Sequence, residues 1–280
     1  MTLDISYRNL TTLKGIKFPP DIKILYCNGN QLTTLEGCSP NITTLYCYSN
    51  QLTTLEGCPS SVKELYCYNN QLTTLEGCPQ SVTTLHCSDN RLTTLEGCPP
   101  SVTILYCRGN QLTTLKECSS NVKGLYCSNN QLITLKECLS NTKMLDCSYN
   151  LLKTLEGCPS SVIALYCNGN QLTTLEGCSP NVTKLYCYDN QLTTLEGCHP
   201  SVTILYRNGN PLTKQYQNKS LEEIHNINRI KAFRKGISSI DRLISALKIQ
   251  RRWRKWWYEE LDTEGVNRFI KKSFMEFMKH

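Results

Sequence analysis

Apolar and polar positions along this chain follow two nested periods. Over short stretches such as Leu45-Tyr46-Cys47-Tyr48 they alternate, as in a strand whose successive side chains point to opposite faces. The whole pattern then recurs every twenty residues. Leu25, Leu45, Leu65, Leu85, Leu105, Leu125, Leu145, Leu165, Leu185 and Leu205 keep that spacing without an insertion, as do the columns Asn30 to Asn210 and Leu32 to Leu212. One unit reads V-x-x-L-x-C-x-x-N-x-L-x-x-L-x-x-C, as in Val62, Leu65, Cys67, Asn70, Leu72, Leu75 and Cys78.

A fixed period of this length predicts stacked coils, each burying its apolar face against its neighbours. Leu45 and Cys47 face inward; Tyr46 and Tyr48 face out. Neighbouring turns stack as parallel strands about 4.8 Å apart. Asn50 falls at the bend after the strand, where an amide side chain can bond the backbone groups a bend leaves unpaired. The return path from Thr53 to Ser61 is too short for a helix, and Gly57 and Pro59 give it an extended, polyproline-like character. At the N-terminus Leu3, Ile5, Leu10, Leu13 and Ile16 form a degraded unit, with a two-residue insertion around "KFPP" before Ile22. At the other end Arg207 replaces the inward Cys, and a charge there is costly unless it reaches water or an acid.

Residues 1 to about 213 resemble the leucine-rich repeat, with Cys at the third apolar strand position. The short unit is most similar to the repeats of bacterial effector proteins and to the repetitive leucine-rich proteins of giant amoebal viruses. The resemblance implies a β-rich solenoid of about 10–11 repeats, with parallel strands on a concave face and extended return arms. It also implies that the outward strand columns line a partner-binding surface. The first column is Tyr26, Tyr46, Tyr66, His86, Tyr106, Tyr126, Asp146, Tyr166, Tyr186 and Tyr206. The second contributes Tyr48, Tyr68, Arg108 and Tyr188, among Asn28, Ser88, Ser128, Ser148, Asn168 and Asn208. Tyrosine offers large area and a polar tip at modest entropic cost; the same rings could simply steady the sheet by cross-strand stacking. Departures from the consensus (His86, Arg108, Lys116, Lys136, Asp146) are where tailoring to a partner is expected.

The chain has 18 cysteines, nine in the column Cys27 to Cys187 and nine in Cys38 to Cys198. Their gaps alternate between 11 and 9 residues, unlike the tight pairs of metal sites. They read as small, easily buried hydrophobes filling a thin cross-section, with oxidative cross-linking or metal binding as the alternative. No metal and no cofactor are expected.

Charge divides the chain in two. Residues 1–213 hold 14 Lys+Arg against 15 Asp+Glu; residues 214–280 hold 16 against 8, with all three Trp residues and no Cys. In this basic tail Ser220 and Glu223 form a capping box before Leu221, Ile224, Ile227 and Ile230 at helical spacing. Gly236 and Ser238-Ser239 predict a break, Ile240 to Leu247 a second helix, and Val266 to Phe277 a third. The stretch Ile249, Gln250, Arg251, Arg252, Trp253, Arg254, Lys255, Trp256 and Trp257 resembles the first half of an IQ motif: Ile249, Gln250 and Arg254 match, while Lys255 and Glu259 depart from it. That segment suits a calmodulin-like protein, nucleic acid phosphates or an anionic membrane, or else forms the solvated face of a helical cap.

No apolar stretch approaches a membrane span and "MTLDISYRNL" has no signal-peptide pattern, which points to the cytoplasm, that of a host cell under the viral resemblance. The tail lacks a cysteine nucleophile, and His225 and His280 have no catalytic constellation around them. The expected function is a non-catalytic protein–protein interaction scaffold, with tail-mediated tethering as the alternative.

Overall fold

A computed structural model describes residues 1–136 and 140–246. Eleven three-residue strands run from β1 (Thr2–Asp4) and β2 (Ile24–Tyr26) through β3 (Thr44–Tyr46), β4 (Glu64–Tyr66), β5 (Thr84–His86), β6 (Ile104–Tyr106), β7 (Gly124–Tyr126), β8 (Met144–Asp146), β9 (Ala164–Tyr166) and β10 (Lys184–Tyr186) to β11 (Ile204–Tyr206). They form one parallel sheet in chain order. Leu45 pairs with Leu65, and so on down the column, so every turn is the same length. The exception is β1, where Leu3 pairs with Leu25 and the two-residue insertion is absorbed. Hydrogen bonding continues past each strand: Cys47 N–H donates to Tyr66 O at 2.9 Å and Ser49 N–H to Tyr68 O at 3.1 Å.

Each turn closes on a continuous core. Val62, Leu65, Cys67, Leu72 and Leu75 have no exposed surface, and Cys78 has 6%. Among the described residues the return arm contains no helix. It turns instead at Leu55–Cys58, where Cys58 N–H reaches back to Leu55 O at 3.1 Å and Gly57 takes a φ of +79°. A Cβ on Gly57 would strike the backbone of Leu35 and Glu36 in the turn below, so glycine here serves both conformation and close approach.

The asparagine ladder takes the expected form. Asn70 Nδ2 donates to Cys67 O in its own turn and to Cys47 O in the turn before, both at 3.1 Å. Its Oδ1 accepts the Leu52 N–H at 3.0 Å. The arrangement recurs to Asn210, whose amide bonds Cys187 O and Arg207 O and accepts from Leu192 N–H. A second ladder, on the return arm, lies outside the sequence reading. Ser61 Oγ donates to Ile42 O and Ser81 Oγ to Val62 O, each at 2.6 Å; where Asn121 and Asn181 stand in this column they donate to Pro100 O and Ser160 O, and Ser119 and Ser179 bond the valine carbonyls.

The last turn is closed by the chain itself. Arg207 is half-buried, and its Nη2 donates to a backbone carbonyl, Lys219 O, at 2.6 Å in place of the expected acid. Tyr216 and Ile224 are fully buried and Leu212 is 8% exposed. The compact unit runs Met1–His225 and so includes the first turn of helix α1 (Leu221–Ala246). The capping box is reciprocal: Ser220 N–H donates to Glu223 Oε2 at 2.8 Å and Glu223 N–H to Ser220 Oγ at 3.2 Å. Lys219 beside Glu223, then the Ser220 amide, lower its carboxyl to about 2.

Two features of the helix differ from the sequence reading. The predicted break at Gly236 and Ser238-Ser239 does not occur: α1 is continuous to Ala246. A single helical glycine costs only about 1 kcal/mol, and Ser239 Oγ bonds back to Lys235 O at 2.9 Å instead of capping a new segment. The apolar series also loses its burial along the helix, with Ile230 at 53% exposed. Residues 247–280, and the third helix expected there, lie outside the described residues. Among the described residues no helix is long and apolar enough to cross a membrane.

None of the described cysteines is joined in a disulfide. Burial is the first cause of their raised pKa values: Cys38 to about 12, Cys158 and Cys198 to about 11, and Cys47, Cys67 and Cys107 well above the ordinary range. These thiols are packing groups and poor nucleophiles. They also couple folding to pH. A thiol that stays protonated in the fold but ionises in the unfolded chain stabilises fully below the unfolded value near 9 and loses that contribution as pH rises towards the folded value. Each such group steepens the loss by about 1.4 kcal/mol per pH unit. The guanidinium-chloride midpoint is expected to stay level from pH 7 to 8 and to fall steeply above pH 9. A midpoint unchanged at pH 10.5 would contradict the buried-thiol account.

Candidate functional site

The outward face of the sheet follows from the strand itself. Leu45 and Cys47 are consumed by the core, so Thr44, Tyr46 and Tyr48 share the opposite side. Because the turns are in register, equivalent side chains stack at the spacing of parallel strands. Tyr26, Tyr46 and Tyr66 stack with ring centroids 4.4 and 4.5 Å apart and planes within 10°. Tyr48 and Tyr68 repeat this in the second column at 4.4 Å. Tyr106 and Tyr126 form a second run at 4.4 Å, and Tyr166, Tyr186 and Tyr206 a third at 4.5 and 4.6 Å. Nearly all these rings are half-buried; Tyr206, on the last strand, is 51% exposed.

Two residues interrupt the first column. His86 is tilted, 42° from Tyr106 at 4.9 Å and 33° from Tyr68 at 4.6 Å, so it bridges the two columns. Burial lowers its pKa. Asp146 replaces a ring altogether, and its Oδ1 accepts the Ser148 N–H at 3.0 Å.

The second column is less open than its sequence position implies. Tyr48, Tyr68 and Tyr188 are half-buried and Arg108 is exposed. The short members Asn28, Ser88, Ser128, Ser148 and Asn168 are buried at 3–6% exposure, shadowed by longer neighbours. Sequence reasoning also missed Tyr149, 49% exposed and at φ +52°, whose ring lies against Gly169. The signal was available: this position is Gly, Asn, Asp or Ser in the other consecutive turns. Among the charged departures, Lys136 pairs with Glu156 at 3.2 Å on the exposed return arm, away from the sheet face. The expected tail segment Ile249, Gln250, Arg251, Arg252, Trp253, Arg254, Lys255, Trp256 and Trp257 lies outside the described residues.

Among the described residues no group of three or more His, Cys, Asp or Glu could hold a metal ion. The site is a surface of stacked rings and hydroxyls.

Known structures share this architecture. The chain is similar to YopM from Yersinia enterocolitica, at 28% identity and a TM-score of 0.64 over 71% of this chain and 44% of that one. It is also similar to YopM, a leucine-rich effector protein from Yersinia pestis, at 29% identity and a TM-score of 0.60 over 69% and 56%. The functional domain of InlJ from Listeria monocytogenes, which includes a cysteine ladder, shares the fold at 21% identity and a TM-score of 0.55 over 71% and 49%. The chain thus spans about half the length of these proteins. No family model matches the sequence, and no curated protein does. The fold is a leucine-rich-repeat solenoid with a C-terminal helix.

His86 provides a test of the stacking. Desolvation favours its neutral form, so it costs stability as pH falls below 6.5, where the unfolded histidine binds a proton and the folded one resists. His86→Tyr should restore parallel stacking with Tyr66 and Tyr106. The expected gain is about 0.5–1 kcal/mol, together with a shallower loss of stability between pH 6.5 and 5. Denaturant titration at both pH values checks this; an unchanged pH dependence would show that the His86 ring is not desolvated by the ladder.

Proposed function

We propose that the chain is a non-catalytic scaffold that binds a protein partner through its tyrosine-rich sheet face in the cytoplasm. The observation that supports this most directly is the stacking of half-buried tyrosines with near-parallel planes. Such rings are already ordered, so a partner meets a broad amphipathic surface whose side-chain entropy is largely spent in folding. Tyrosine hydroxyls along the edge offer hydrogen bonds at regular spacing, and aromatic anchors of this kind dominate protein interfaces.

The test is a displayed-peptide selection on the immobilised full chain, followed by affinity measurement on face variants. Tyr46→Ala with Tyr66→Ala should weaken a selected ligand by about tenfold or more. Ligands indifferent to these changes would sink the reading.

Charge supports a second reading, in which the tail, with 16 Lys+Arg against 8 Asp+Glu, tethers the chain. Binding lost on Arg251→Ala, Arg252→Ala and Arg254→Ala and falling steeply with salt would favour nucleic acid or an anionic membrane. Calcium-dependent, salt-tolerant binding of calmodulin through Ile249–Trp257 would favour a calmodulin-like partner instead.

A further inference from the structure

Asp146 leaves a gap in the tyrosine ladder. Tyr126 lies one turn below it and Tyr166 one turn above. With parallel strands about 4.8 Å apart, two turns separate the flanking rings by about 9–10 Å. Stacked neighbours elsewhere in the column are 4.4–4.6 Å apart, so the gap is one flat group thick. The side chains around it are defined. Tyr126 Oη meets Met144 Sδ at 3.8 Å on one side. In the same turn as Asp146, the Tyr149 ring covers Gly169. Short residues follow in the second column: Ser148 Oγ donates to Asn168 Oδ1 at 2.7 Å, and both are buried. Gly124 and Ala164 flank the opening in the column before Tyr126 and Tyr166.

The chemistry of the gap is specific. A carboxylate stands where every stacked rung has a ring. One Asp146 oxygen accepts the Ser148 amide, and among the described residues no cation lies within ion-pairing distance of it. An apolar ring entering from a partner would desolvate that carboxylate without replacing its water. A lysine ammonium would satisfy the charge but leave the two ring faces uncovered. A guanidinium is planar, stacks on aromatic faces and presents paired N–H donors to a carboxylate.

We propose that the slot between Tyr126 and Tyr166 receives an arginine side chain of the partner protein, stacked between the two rings and hydrogen-bonded to Asp146. This inference rests on the reading of the tyrosine face as the binding surface and names the chemistry of its central contact.

The test uses the full chain with 13C-labelled tyrosine rings and three small probes: N-acetyl-arginine amide, N-acetyl-lysine amide and N-acetyl-citrulline amide. Arginine amide should shift the Tyr126 and Tyr166 resonances saturably, and bind about tenfold or more tightly than citrulline or lysine amide. Asp146→Tyr fills the slot with the consensus ring and should abolish the effect while holding or raising the thermal midpoint, which separates lost binding from lost folding. Asp146→Asn keeps the slot and should erase the preference for arginine over citrulline. Equal binding of the three probes, or binding unchanged by Asp146→Tyr, would overturn the proposal. A selected partner lost on Tyr46→Ala with Tyr66→Ala but retained on Asp146→Tyr would also overturn it, while leaving the face reading intact. A partner indifferent to all these variants would remove the face reading, with the arginine titration still judging the slot by itself.

Discussion

Everything in this molecule depends on satisfying the backbone at one bend, ten times over. After each strand the chain turns inward, and its carbonyls and amides leave the ladder in a dry environment. One buried asparagine per turn meets the need, donating to the carbonyls of its own turn and the preceding one and accepting a leucine amide from that turn. An unpaired buried polar group costs about 1–3 kcal/mol, so a turn with a different length or bend would lose several such bonds together. The twenty-residue period is therefore held by hydrogen bonding as well as by packing.

A short turn leaves a narrow interior, and this explains the cysteines. Cys67 sits between Leu65 and Leu72 with no exposed surface, filling a place that a larger apolar side chain would overpack. The tight return arm has the same origin: without a helix it must turn at Gly57 and approach the previous turn so closely that a side chain is excluded. Strict register then acts on the outer face. Identical residues in one column meet ring on ring, so the tyrosine ladder is a direct product of the repeat. A departure such as His86 or Asp146 alters one rung and leaves the rest standing. Local identity can therefore be written on the face at a cost of about 1 kcal/mol or less per rung.

Much of this was legible in the sequence. The leucine, cysteine and asparagine columns announce a parallel coil, because a fixed period with no insertions leaves little else for them to do. The inserted pair near "KFPP" and the awkward Arg207 were legible as end effects, and both have their structural counterparts. The serine ladder was not, since Ser61 and Ser81 sit in a segment that looks like any polar loop until the turns are stacked. The buried second-column residues Ser128 and Ser148 were misjudged because alternation reports direction and says nothing of taller neighbours. The helix break was over-read from Gly236, whose propensity cost one long helix can absorb. Tyr149 escaped notice because its importance lies in the glycine one turn above.

Amide hydrogen exchange along the asparagine ladder tests the central claim most directly. The Leu52, Leu72, Leu112 and Leu132 amides each donate to the asparagine of the next turn. They should exchange as one slow class, opening only with the solenoid as a whole, while Thr53 and Thr73, exposed on the return arm, exchange quickly. Leucine amides that exchange as fast as those threonines would mean that the asparagines do not hold the turns together.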